Sequence, residues 1–152
     1  MSGRRCGRAV ALLAVGLLLL PAAGCSQDPH EAYCEEVEAQ RPELSDAVAD
    51  GSPAALIGAL PNLEALEEAA PRDIRDEWDA VVGRVRELRD ALEDAGVDPA
   101  TYDREKPPTG LAAEEEARLD AAAAELGSRT TAEALAGVQQ QARDVCGTPL
   151  TL

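Results

Sequence analysis

Phenylalanine is absent from this chain of 152 residues, and its aromatic side chains are one Trp and two Tyr, 2% of the total. It has a single His, His30, and a single Lys, Lys106. Each shortage excludes something. One His rules out most zinc sites and most general-base designs, because a catalytic imidazole must be held beside its partner. His30 precedes the first helical pattern, where nothing constrains it, so no catalytic role is expected. Cations are scarce: 14 basic residues face 29 acidic ones, a formal charge of −15. Such a chain is a poor partner for phosphate backbones, which are bound by Lys and Arg, so nucleic acid is not an expected partner. Four Cys are too few for a disulfide-built miniprotein. The sequence has no glycine-rich phosphate loop, no HExxH and no EF-hand spacing. Carboxylate-only glycoside cleavage needs just two acids, but sugar sites draw on aromatic platforms that this chain lacks, so hydrolysis is the least favoured function.

The charge is unevenly distributed. Residues 1–24 contain Arg4, Arg5 and Arg8 and no acid; residues 25–152 hold 11 basic and 29 acidic residues, a formal −18. The three Arg precede an apolar run of twelve residues, 9–20, then Pro21 and the small residues Ala22, Ala23 and Gly24. A cationic start, an apolar middle and a small-residue end form a secretory signal. Twelve apolar residues are too few to span a bilayer, which takes about 20. Small residues at Ala22 and Gly24 also suit an ordinary signal peptidase, so plain secretion is the alternative. Ala22-Ala23-Gly24-Cys25 resembles the lipobox of bacterial lipoproteins, in which the Cys is lipidated and becomes the mature N-terminus; the family usually has Leu where Ala22 stands. Cysteine arithmetic separates the two readings. Cys6 leaves with the signal, so Cys25, Cys34 and Cys146 remain, an odd number for an exported protein. Lipidation consumes Cys25 and leaves one pair. Two or three acyl chains there would give stable anchoring where one is marginal.

The organisation expected is therefore a removed signal at 1–24, a lipidated tether at 25–30 and a helical domain at 31–152. The first helical pattern covers about 31–49, with Tyr33, Val37, Leu44 and Val48 on one face and a kink or restart at Pro42. Ser52-Pro53 is a good start for a second, with Leu56, Ile57 and Leu60 apolar; Pro61 re-starts the chain into Leu63 and Leu66. Pro71 and Gly96 bracket the strongest pattern. Ile74, Trp78, Val81, Val85, Leu88, Leu92 and Ala95 alternate steps of four and three, a three-heptad seam. The pairs Arg72/Asp76, Arg75/Asp79, Arg86/Asp90 and Arg89/Glu93 at i, i+4 mark the wet face of this helix. Residues 97–110 hold three Pro and one Gly and read as a loop, with a possible helical turn after Asp98-Pro99; a connection this long is often functional. A further helix runs over about 111–126, with Leu119, Ala122 and Leu126 inward. The last starts at Thr130 or Thr131, with Glu133 as a capping-box partner, and has Leu135, Val138, Ala142 and Val145 on one face. The fold class expected is all-α: an antiparallel bundle of about four to five helices, with a thin Ala/Leu/Val core and Trp78 as its one large filler.

Cys34 lies in the first turns of the first helix and Cys146 at the end of the last. In an antiparallel bundle these fall at the same end, within reach of a disulfide, and export supplies the oxidising setting. A redox or metal pair is the rival reading; it finds no CxxC and no neighbouring His. Tyr33 is expected beside the bridge. The Tyr-Cys at 33–34, the Ala-Gly-Val-Asp-Pro-Ala-Thr-Tyr loop at 95–102 and the closing Asp-Val-Cys with Thr-Pro-Leu resemble a group of small actinobacterial lipoproteins. The GC-rich residue usage, with two Ile and one Asn, agrees. The resemblance implies a location on the outer face of the cytoplasmic membrane and carries no activity.

No catalytic residue, metal or cofactor is expected. Asp94, Asp98, Asp103 and Glu105 gather around the long loop, but their spacing matches no calcium loop. Tyr102 is the aromatic expected to be exposed, and with Asp98 and Asp103 it makes the loop the candidate contact site. The expected function is a non-enzymatic, membrane-anchored envelope module that binds an unidentified envelope protein or peptide. The alternative is a carrier with a cavity for a lipid or other small apolar ligand between its helices.

Overall fold

A computed structural model describes residues 28–106 and 108–151. The signal at 1–24 and residues 25–27 of the tether, Cys25 among them, lie outside these residues. The described chain is helical, with no strand among the described residues. Six helices follow in order: α1 (Pro29–Asp50), α2 (Pro53–Gly58), α3 (Leu60–Ala69), α4 (Arg75–Asp94), α5 (Ala113–Leu126) and α6 (Arg129–Val145). The count exceeds the four to five expected because Ala59 interrupts the chain between α2 and α3 as a turn residue, leaving two short helices.

Local chemistry accounts for most of the boundaries. Asp28 caps α1 by accepting from the His30 N–H at 2.9 Å, with Pro29 at the first helical position. His30, assigned to the tether from sequence, therefore sits in the first turn of α1. Gly51 (φ 70°) ends α1 in the left-handed conformation that glycine adopts without strain. Ser52 then caps α2 through the Ala55 N–H at 3.1 Å. Gly96 (φ 64°) closes α4, and the next amide, Val97 N–H, returns to the Leu92 carbonyl at 2.9 Å.

Three local expectations are corrected. No break occurs at Pro42, which lies inside an uninterrupted α1. Pro42 and Glu38, the residue whose carbonyl loses its helical partner there, are both exposed. The two residues before Pro42 are pinned by tertiary contacts: Gln40 accepts from Asn62 Nδ2 at 2.6 Å, and Arg41 donates to Thr148 Oγ1 at 2.6 Å. The N-cap of α6 is Ser128 rather than Thr130 or Thr131, accepting from the Thr131 N–H at 3.2 Å. The turn after Asp98-Pro99 stays a turn, closed by Thr101 N–H to the Asp98 carbonyl at 3.0 Å.

The bundle is organised by α4. Ile74, Trp78, Val81, Val85, Leu88 and Leu92 of the expected seam are buried, Ala95 partly so, and Val82 and Ala91 widen the buried face. Against this face pack α3, α5, α6 and, more lightly, α2. Helix α1 lies on α2 and α3 and meets α6 near its end. Contacts such as Arg118–Asp94 and Gly137 with Glu77 keep one antiparallel register along α4, so α5 and α6 together form an interrupted arm running back down it.

The core divides in two. The larger cluster joins α1, α3, the first half of α4 and α6, and includes Tyr33, Val37, Leu66, Trp78, Val82, Val138 and Ala142. The smaller joins the second half of α4 to α5 and the following loop: Leu88, Ala91, Leu92, Val97, Tyr102, Leu119 and Ala122. Leu126 packs against both. Three residues expected on buried faces are exposed: Val48 (67%), Leu135 (41%) and Val145 (45%). Val48 sits in the last turns of α1, and Leu135 and Val145 flank the narrow strip of α6 that meets α4. That strip is Thr131, Val138 and Ala142.

The disulfide between Cys34 and Cys146 is present, with Cα atoms 5.2 Å apart and 112 residues separating the two positions. Beyond it the chain turns back on α1, where Thr148 meets Arg41 and Leu150 enters the larger cluster. A closed loop of this length is worth about 4–5 kcal/mol by the chain-entropy argument. Reduction is therefore expected to lower the free energy of unfolding by about that amount. Urea titrations of the oxidised and reduced protein measure it, and coincident midpoints would show that the bridge adds nothing.

Candidate functional site

The bridged end is the most tightly built part of the molecule. Tyr33 is fully buried beside Cys34, and its hydroxyl accepts a hydrogen bond from Trp78 Nε1 at 3.1 Å. The only indole N–H in the chain is thereby satisfied in the core, as a buried donor must be. This bond also ties the start of α1 to the start of α4. Burial raises the Tyr33 pKa above 10.0; the Trp78 hydrogen bond opposes the shift, and Asp73 adds to it. Disulfide, aromatic pair and returning C-terminal segment are one structural joint.

The candidate contact loop differs from the sequence expectation at its central residue. Tyr102 is not exposed. It retains 9% of its accessible surface and packs with Leu88, Leu92, Val97 and Leu119. In a core this poor in large side chains, burying a tyrosine ring stabilises more than presenting it to water. Burial raises its pKa above 10.0, with Asp120 contributing in the same direction. Asp98 and Asp103 are exposed, as a contact role requires, but each also shapes the backbone. Asp98 Oδ1 accepts from Ala100 N–H at 2.9 Å, and Asp103 Oδ1 accepts from Glu105 N–H at 2.8 Å. These are Asx-turns, the local structure that aspartate favours. Tyr102 is thus the pin that holds the loop down, and the two aspartates are its outward corners.

Two open grooves flank the helices. One, of about 330 Å³, runs between α4 and α5 over Ala91, Ala121 and Ala122, with Glu87, Asp90 and Asp94 on its α4 side. The second, of about 350 Å³, lies where α1, α2 and α3 meet and is rimmed by Glu43, Asp46 and Asp50. The neighbouring Ser52 holds the Asp50 carboxyl below its ordinary range, through hydrogen bonds from its side chain and its backbone N–H. Among the described residues no group of three or more His, Cys, Asp or Glu is placed to hold a metal ion. Nor is any described helix long and apolar enough to cross a membrane.

Of the i, i+4 pairs read from the sequence of α4, Arg89/Glu93 meets at 4.0 Å, while Arg86 turns to a tertiary contact. Arg86, paired with Asp90 from sequence, instead reaches α3, meeting Glu64 at 2.8 Å and Glu67 at 2.6 Å. The hydrogen bonds it donates to Glu67 and then Glu64 raise its pKa further. Its side chain is 36% exposed, so solvent screening keeps the contribution of this fork near that of a surface pair, about 1 kcal/mol or less. Arg75 donates to the Ala70 carbonyl at 2.9 Å, and Arg89 pairs chiefly with Asp90 at 2.7 Å, leaving Glu93 at 4.0 Å. The sequence marks Thr131 only as a possible helix start and carries no sign that it or Thr148 makes a tertiary contact. Both are buried, and each hydroxyl meets a group more than five residues away.

No protein-family model matches the chain, and neither a curated protein nor a solved structure matches it.

The tyrosines give a pH test. Both folded-state pKa values are raised, so their stabilisation is fully present below the unfolded value of about 10 and is lost as pH rises through the folded values. Phenolate absorbance should therefore lag behind that of the unfolded chain on alkaline titration and rise with loss of helix. Free titration of either tyrosine near pH 10 in the folded protein would contradict this burial. Tyr102→Ala is expected to cost on the order of 3 kcal/mol, as large aromatic truncations do, measured by urea unfolding; a change under about 0.5 kcal/mol would mean a surface role.

Proposed function

We propose that the protein is a membrane-anchored envelope lipoprotein whose helical domain presents the end bearing Asp98 and Asp103 to a protein or peptide partner. The observation that carries this reading is the polarity of the bundle. α1 begins at Pro29, four residues after Cys25, so a lipid on Cys25 holds the disulfide-bridged end near the membrane. The Tyr33–Trp78 hydrogen bond sets the start of α4 at that same end. α4 then runs for 20 residues, about 30 Å at 1.5 Å per residue, before the loop begins. Asp98 and Asp103 therefore stand at the far end of the domain, held in position by Tyr102.

The charge agrees with this orientation. The chain from Cys25 onward carries −18, and an anionic bilayer surface would repel such a domain rather than let it lie flat. The grooves are open and edged with carboxylates, features that support a polar or peptide partner over a small apolar ligand.

Two experiments test the two halves of the proposal. Cys25→Ala should move the protein from the membrane fraction to the soluble exported fraction and abolish incorporation of a palmitate analogue; membrane retention without label would reject the anchor. Asp98→Asn with Asp103→Asn removes both charges but keeps the side-chain oxygens that close the Asx-turns, and should abolish recovery of the partner in native-envelope crosslinking while leaving the thermal transition in place. Undiminished crosslinks from the double variant would reject this loop as the contact.

A further inference from the structure

We propose that α5, together with loop residues 97–106 and 108–112, is a hinged flap that opens from α4 as one unit while the disulfide-closed remainder stays folded. The first support is the division of the core. The flap contributes Val97, Tyr102, Leu119 and Ala122 to the smaller cluster, whose other buried members all lie on the second half of α4. The larger cluster has no buried member between Val85 and Val138, and α5 reaches it only through the partly buried Leu126, so opening removes that one edge contact and none of its buried members. Among the described residues α5 has one substantial helical neighbour, α4, whereas α3 packs on α1, α2 and α4, and α6 on α1 and α4.

The second support is how weakly the seam is held. Of the fourteen residues of α5, only Leu119 and Ala122 are buried. Glu87, Asp90 and Asp94 of α4 line the groove together with Glu125 of α5. Glu87 and Asp90 are paired within α4, to Arg84 and Arg89. The ion pair that crosses the groove is Arg118–Asp94 at 3.0 Å, with both side chains at least 60% exposed, a class of contact that holds little. Arg104 lies 4.0 Å from Asp120, which links the loop to α5 and lets the two move together.

The third support is the construction of the two boundaries. Gly96, at φ 64°, stands where the loop leaves α4. At the other boundary Gly127 and Ser128 separate α5 from α6. Ser128 caps α6 through the Thr131 N–H, so α6 keeps its own N-terminus when α5 departs. The bonds that must break there are the two that the Glu125 carbonyl accepts, from Thr131 Oγ1 at 2.7 Å and from the Ser128 N–H at 3.1 Å. Opening uncovers Leu88, Ala91 and Leu92, an apolar strip on α4.

Hydrogen exchange read by mass spectrometry on the disulfide-bonded full chain tests the flap. The amides of α5 are expected to share one opening rate, on the order of tenfold or more faster than those of α3, α6 and the first half of α4. Leu119→Ala should speed α5 exchange by on the order of thirtyfold and leave α1, α3 and α6 protection and the fluorescence of Trp78 unchanged. Equal protection of α5 and α6 in the unsubstituted protein overturns the proposal. So does residue-by-residue fraying of α5 with no common rate, or a Leu119→Ala variant that loses protection or unfolds throughout.

Discussion

The apolar face of α4 is the surface on which the rest of this molecule depends. In a chain without Phe, and with one Trp, no other helix among the described residues offers so continuous a row of large apolar side chains. Trp78, Val82, Val85, Leu88 and Leu92 run the length of the helix, and α3, α5, α6 and part of α2 find their burial against them. Alanine supplies much of the facing surface. It allows close approach but removes little area from water, so each helix added to α4 is held by few side chains. A small apolar core leaves little margin over the conformational entropy of folding.

That shortage explains why covalent and polar devices gather at one end. The Cys34–Cys146 bridge and the Tyr33–Trp78 hydrogen bond lie where α1 begins, and the Arg41–Thr148 contact and buried Leu150 bind the residues after Cys146 back onto the first helix and the larger cluster. Each joins segments far apart in sequence. The far end has no comparable joint. It relies on Tyr102, Leu119 and Ala122 beneath an acidic surface. The molecule is thus graded in stability, from a closed base to a lightly held tip. In the proposed orientation that gradient points away from the membrane, and a partner would meet the more adaptable end.

Much of this architecture is legible without coordinates. The seven-residue seam of α4, the Ser52-Pro53 start and the pairing of Cys34 with Cys146 rest on periodicity, capping chemistry and cysteine arithmetic, which act locally or by elimination. The failures share a cause. Tyr102 looked like a loop aromatic, and nothing nearby in sequence reveals that the second half of α4 needs cover. Leu135 and Val145 match the helical period, yet α6 meets α4 along a strip too narrow to include them. Arg86 has an acid four residues on, but Glu64 and Glu67 converge on it from another helix. Asp98 and Asp103 are read from the sequence as contact residues of the loop, and their turn-forming role follows from the chemistry of the aspartate side chain.

The sequence by itself determined the helices, their approximate ends, the class of the fold and the identity of the bridge. These follow from 3.6-residue periodicity, from Pro and Gly, and from the count of cysteines, all of which operate over a few residues or over the whole composition. Only the tertiary structure decided which apolar residues are covered, which carboxylate each arginine meets, that Pro42 is spanned rather than obeyed, and that the core splits in two. Those outcomes depend on which helix lies beside which, and that choice is set by long-range packing against α4, where several weak local preferences compete and the larger burial wins.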